Sequence, residues 1–81
     1  MANPKLNVQI VSPEAVLYDS DAEMVVCRIA EGEAAFLPGH EPIMSVLQPG
    51  IVKIVDGDDV KEIKMDEGIV QVTGKAVKII S

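Results

Sequence analysis

The stretch IVKIVDGDDVKEIKM, residues 51–65, decides the fold. Ile51, Val52, Ile54 and Val55 lead into Asp56-Gly57, and Val60, Ile63 and Met65 follow it. Asp-Gly between two β-branched runs is a strong short-range hairpin signal, because Gly adopts the positive φ that a tight turn needs. Residues 51–55 and 60–65 are therefore predicted to be antiparallel strands. The pattern repeats around Thr73-Gly74, with residues 69–73 and 76–80 as the flanking strands. The second half of the chain reads as a four-stranded meander.

The first half agrees. Leu6, Val8 and Ile10 alternate with Asn7 and Gln9, the mark of a half-buried strand over residues 5–11. Pro13 ends it. Residues 15–18 read as a short second strand, closed by the polar Asp19, Ser20 and Asp21. Residues 23–29 form a more continuous apolar run, expected to be a central strand covered on both sides. Glu31-Gly32-Glu33 reads as a turn and residues 34–37 as a short strand. Pro38-Gly39 and Pro42 bracket a tight loop that no helix interior tolerates. Residues 43–47 are a brief apolar element. Pro49-Gly50 carries the type II turn pattern.

Composition supports an all-β chain. There are 12 Val and 9 Ile against 4 Leu, and branched side chains favour a pleated surface over a helix. No long stretch holds a 3.6-residue apolar period. With 81 residues, 48% of them hydrophobic, the chain is expected to form one small ordered domain over 1–81. No apolar run approaches membrane-span length, and no secretory signal pattern is visible. A net charge of −6 argues against nucleic acid, whose phosphates demand a basic face, and against simple adsorption to anionic lipid. A lone cysteine, Cys27, has no partner for an intrachain disulfide.

Reaction chemistry is poorly served. Asp56, Asp58 and Asp59 lack the spaced ligands and terminal Glu of a calcium loop, and the hairpin accounts for the same residues. No Gly-rich phosphate loop precedes a helix. His40 and four serines exist without a nucleophile elbow. His40-Glu41-Pro42 has the H-x-E of zinc deaminases without the P-C-x-x-C partner. Cys27 lies mid-strand among apolar residues, the setting of an inert thiol. Met24, Met44 and Met65 read as core filler, less firmly for Met44, which follows the Pro-rich loop and also fits an exposed, adaptable surface. Lys64-Met65 raises the alternative of a biotinyl or lipoyl carrier domain. Such carriers hold their lysine at a hairpin tip, while Lys64 lies inside an alternating strand. No cofactor, metal site or catalytic residue is expected.

One stretch is more specific. Glu31-Gly32-Glu33, Phe36-Leu37 and Pro38-Gly39-His40-Glu41-Pro42 resemble the E-G-E-x-G-[IV]-x-P-G-H-x-P signature of the epsilon subunit of F-type ATP synthases. LNVQIVSP at 6–13 resembles that family's opening strand, LQPGIVKI at 47–54 its L-x-P-G segment, and EGIVQV at 67–72 its G-G-x-[VLI]-x-V strand. Order and spacing match along nearly the whole chain. Ala34, Ala35 and Asp66-Glu67 depart from the usual pattern.

The resemblance implies a flattened ten-stranded β-sandwich, the N-terminal domain of that subunit, without its C-terminal helical hairpin. It implies a non-catalytic rotor-stalk subunit on the cytoplasmic side of the cell membrane, peripheral, within the F1 sector. Its partners would be the gamma subunit and the c-ring, coupling ion translocation to ATP synthesis. By position in the motif, Glu33, Pro38, Gly39, His40, Pro42, Ile43, Met44 and Ser45 would face the c-ring loops and the gamma foot. Ser12, after the first strand, would lie towards gamma. The family's c-ring loops usually carry an arginine, with which Glu33 would pair.

Overall fold

The computed structural model describes residues 4–81. Among them nine strands follow one another: β1 (Leu6–Val11), β2 (Val16–Ala22), β3 (Met24–Ile29), β4 (Gly32–Phe36), β5 (Ile43–Leu47), β6 (Gly50–Asp56), β7 (Asp59–Met65), β8 (Gly68–Val72) and β9 (Ala76–Ile80). No helix occurs among the described residues. Period-two burial explains the strands. Leu6, Val8 and Ile10 of β1, Val70 and Val72 of β8, and Val77 and Ile79 of β9 are all buried, with exposed Asn7, Gln71 and Lys78 between them.

Two layers share this core. One runs β2-β1-β9-β8-β5, and the other runs β4-β3-β6-β7. They meet where Leu47 of β5 pairs with Ile29 of β3. β1 and β9, from opposite ends of the chain, pair in parallel. All other pairings are antiparallel. At the far side Lys61 of β7 lies over the Tyr18 ring of β2, 5.7 Å from its centroid, so the two outer strands approach one another. Phe36 is the largest fully buried side chain, and no polar or charged side chain is buried among the described residues. Each fully buried Val, Ile or Leu contributes about 1.5–3 kcal/mol relative to exposure.

Several expectations need correction. Nine strands stand where the resemblance implied ten. Asp19, Ser20 and Asp21 do not close β2 but continue it to Ala22, in register with β1. An outer strand tolerates them because their side chains point to water. β3 is covered on one face only: Val25, Cys27 and Ile29 are buried, Met24 and Val26 are half-buried, and Arg28 is exposed. The β3–β4 turn is Ala30-Glu31, with Gly32 and Glu33 already in the strand. Pro49-Gly50 does not reverse the chain. β5 and β6 both run antiparallel to β3, so this pair is a corner that carries the chain from one layer into the other. Gly50 sits there at φ 151°, a backbone conformation that side chains disfavour.

Candidate functional site

The loop over residues 37–42 links β4 in one layer to β5 in the other. Its shape follows from local chemistry. The His40 amide donates to the Leu37 carbonyl at 3.1 Å, closing a turn around Pro38 and Gly39. Gly39 takes φ 88°, which a side chain would strain, and its amide donates to the Gly74 carbonyl at 2.9 Å. That bond fixes the loop against the β8–β9 turn. The His40 ring meets Phe36 edge-on, with centroids 5.2 Å apart and planes at 86°. Its Nδ1 lies 2.7 Å from the Glu41 carbonyl oxygen. A carbonyl only accepts, so Nδ1 carries the proton and donates. His40 is half-buried, held by a core aromatic on one side and its own backbone on the other.

Pro42, Ile43 and Met44 continue from the loop. With Gln71, Val72 and Thr73 they line a shallow, mainly apolar hollow of about 430 Å³. Met44 is 67% exposed, so it is an adaptable surface residue and not core filler, and Gln71 Nε2 donates to its sulfur at 3.7 Å. Ser45 turns the other way. Its hydroxyl donates to Glu31 Oε1 at 2.7 Å. The Ala30 amide donates to the Val46 carbonyl at 3.0 Å and the Gln48 amide to the Arg28 carbonyl at 2.8 Å. Three bonds thus stitch the β3–β4 turn to β5 and the corner after it.

The expected grouping is only partly realised. Pro38, Gly39, His40, Pro42, Ile43 and Met44 are neighbours along one loop and the strand it feeds. Glu33 is not with them. It stands on the exposed side of β4, opposite Arg28 of β3, whereas Phe36 points into the core from the other side and carries His40 with it. Three residues of strand rise about 10 Å. Glu33 lines a separate groove of about 280 Å³ with Arg28, Ile51 and Lys53. Ser12 is also apart. It follows Val11, whose partner is Ile80, at the end of its layer remote from Gly74. Its amide and hydroxyl both bond the Ala15 carbonyl, closing the β1–β2 turn.

Sequence reasoning missed one surface altogether. Val46, Ile69, Ile80, Val11 and Val16 are successive register partners across β5, β8, β9, β1 and β2. All point away from the core, and all but the half-buried Val11 are exposed, from 38% at Ile80 to 63% at Val16. Side by side they make an apolar row over a whole layer. The signal was present as consecutive apolar pairs: Ile10-Val11, Val46-Leu47, Ile69-Val70 and Ile79-Ile80. In each, one residue faces the core and the other faces out. Glu31, held by Ser45, was missed as well.

Lys64 lies within β7 opposite Ile51, away from the Gly57 tip. Cys27 is buried beneath the β3 surface, and desolvation pushes its thiol up to about 11.

Comparison with known proteins agrees with this geometry. Residues 5–81 match the family model of the ATP synthase delta/epsilon chain beta-sandwich domain. The ATP synthase epsilon chain of Frankia casuarinae is 38% identical over 77 residues, covering 94% of this chain and 91% of the relative. Those of Leptospira borgpetersenii and Brevibacillus brevis are 34% and 39% identical, over 95% of this chain. The chain spans 61% and 59% of these two relatives. Among solved structures, a chain of the Euglena gracilis mitochondrial ATP synthase OSCP/F1/c-ring assembly superposes with a TM-score of 0.88 at 21% identity, covering 99% of this chain and 53% of that one. A chain of the Tetrahymena thermophila mitochondrial ATP synthase central stalk/c-ring assembly gives 0.70 at 18%, covering 98% and 67%. At such identities the likeness concerns the fold. The match over residues 5–81 identifies the chain as a member of the ATP synthase delta/epsilon beta-sandwich family.

Proposed function

We propose that this chain is a non-catalytic rotor-stalk component of an F-type ATP synthase. It binds the gamma subunit and the c-ring and helps transmit torque from ion flow to the catalytic head. It belongs to the F1 sector, peripheral to the membrane on its cytoplasmic side. The observation that carries this reading is the family match over residues 5–81. The two structural neighbours come from an F1/c-ring and a central stalk/c-ring assembly, which supports the same reading.

The surfaces support a division of labour. The apolar row from Val46 to Val16, with Ser12 in the adjoining turn, suits a broad protein partner, which we take to be gamma. The loop of Pro38, Gly39, His40 and Pro42, with Ile43, Met44 and Ser45, suits the c-ring. Its conformation is fixed before binding by Phe36, Gly74 and Glu31, which lowers the ordering cost of association. Glu33 would meet a basic ring residue only in competition with Arg28 opposite it. The carrier reading is not favoured, since Lys64 is embedded in a strand.

The test is reconstitution. Added to an ATP synthase lacking its own epsilon chain, this protein should co-purify with gamma and the c-ring and restore coupled synthesis. Glu33→Ala with His40→Ala should weaken coupling. No association with gamma would sink the functional reading, and full coupling in the double variant would sink only the residue assignment.

A further inference from the structure

The apolar row has a charged border. Glu14 lies in the β1–β2 turn, just beyond the Val11–Val16 pair. Asp66 and Glu67 lie between β7 and β8, just before Gly68 and Ile69. All three are exposed. The turns at this border, residues 12–15, 30–31, 48–49 and 66–67, contain no lysine or arginine. On the outward face the nearest cation is Lys78, one row further in, opposite Gln71. Arg28 opens instead into the groove of the other layer.

An acid in a turn is ordinarily a solvated charge without further role. Here the acids edge an apolar strip that binding would dry. Beside such a strip a carboxylate acts through a lower dielectric, so a like charge on the partner is repelled and an opposite charge is drawn in. We propose that the row and its acidic border form one docking surface, whose partner presents an apolar strip edged by lysine or arginine side chains. This inference rests on the stalk reading and takes gamma as the partner. A second copy of the chain fits poorly, because each copy carries a net charge of −6. The border acts chiefly on the rate of encounter, and salt weakens it because its charges are exposed.

The experiment follows association of the intact chain with a gamma-containing F1 particle that lacks its own epsilon chain, at low and at high salt. One variant carries Glu14→Gln, Asp66→Asn and Glu67→Gln. A matched variant removes the same charge elsewhere, with Asp58→Asn, Asp59→Asn and Glu62→Gln. Wild type should associate about tenfold faster at low salt than at high salt. The border variant should lose most of that advantage and bind about three- to tenfold more slowly at low salt. The matched variant should stay within about twofold of wild type. Equal slowing of both variants would assign the effect to net charge and overturn the proposal. So would a border variant that keeps the wild-type rate and salt dependence. If wild type itself fails to bind gamma, the stalk reading falls and takes this inference with it.

Discussion

The two outer faces of the sandwich differ although one core supports both. The β2-β1-β9-β8-β5 layer exposes Val46, Ile69, Ile80 and Val16 in one uncharged row. The β4-β3-β6-β7 layer exposes Ile51 and Val60, but among charged pairs, with Arg28 opposite Glu33 and Lys53 opposite Glu62. Core demands explain neither difference, since outward positions are free of packing. The lesson is that solvent-facing residues carry the partner information in so small a domain. On one face a charged ladder breaks up the exposed apolar side chains. An apolar row leaves the other with surface to bury.

The largest expected effect breaks the apolar face. Val46→Asp with Ile69→Asp should weaken gamma binding by more than about a hundredfold, or roughly 3 kcal/mol, because unpaired charges would be dried in the interface. Both side chains are exposed, so thermal unfolding should move by only a few degrees. Titration calorimetry beside a melting curve separates the two outcomes. Near-wild-type affinity would remove the contrast between the faces.

The next effect lies beneath the charged face. Burial raises the Cys27 thiol from its ordinary value of 9.0 to about 11. Between these values the folded chain holds a proton that the unfolded chain has lost. Stability should therefore fall as pH rises through that window, by up to about 2–3 kcal/mol. Lys5 adds to the alkaline loss. Its hydrogen bond to Asp56, 2.9 Å away, and the attraction of that carboxylate raise its pKa above 10.5, so its contribution is present below that value and fades above it. Urea unfolding at pH 8 and pH 11 should show Cys27→Ala declining less than wild type. Parallel decline would mean the thiol is not sealed under this face.

Gly39→Ala tests the loop that joins the layers. The positive φ at Gly39 strains any side chain, and the amide bond to Gly74 ties the loop in place. A loss of about 1–2 kcal/mol is expected in chemical denaturation. The smallest effect belongs to the charged ladder. Lys53 and Glu62 are 4.0 Å apart with side chains more than half exposed. Replacing both by Ala should change stability by less than about 0.5 kcal/mol and leave gamma affinity within about twofold. A large binding loss there would move the docking surface to the other face.

Much of this was legible in the residues. Most strand positions followed from period-two alternation, and the hairpins at Gly57 and Gly74 from turn chemistry. The sealed Cys27 was legible too, whereas the exposed Met44 was only one of two readings, because a methionine suits a core and a surface equally. The site was less legible. Glu33 and His40 lie in one motif, yet strand parity sends Glu33 to an outer face while Phe36 anchors His40 at the core. The Pro49-Gly50 corner looked like a reversal because local propensity does not report which strand a segment will join.

Local chemistry alone decided that this chain is a series of short strands, since side-chain branching, alternation and glycine-bearing turns act over a few residues. Only the tertiary structure decided that β1 pairs in parallel with β9, and that β5 and β6 bend around β3 from layer to layer. It also aligned five outward side chains into one row. Those outcomes depend on register between distant segments, and register is set by how all the inward faces close one shared core.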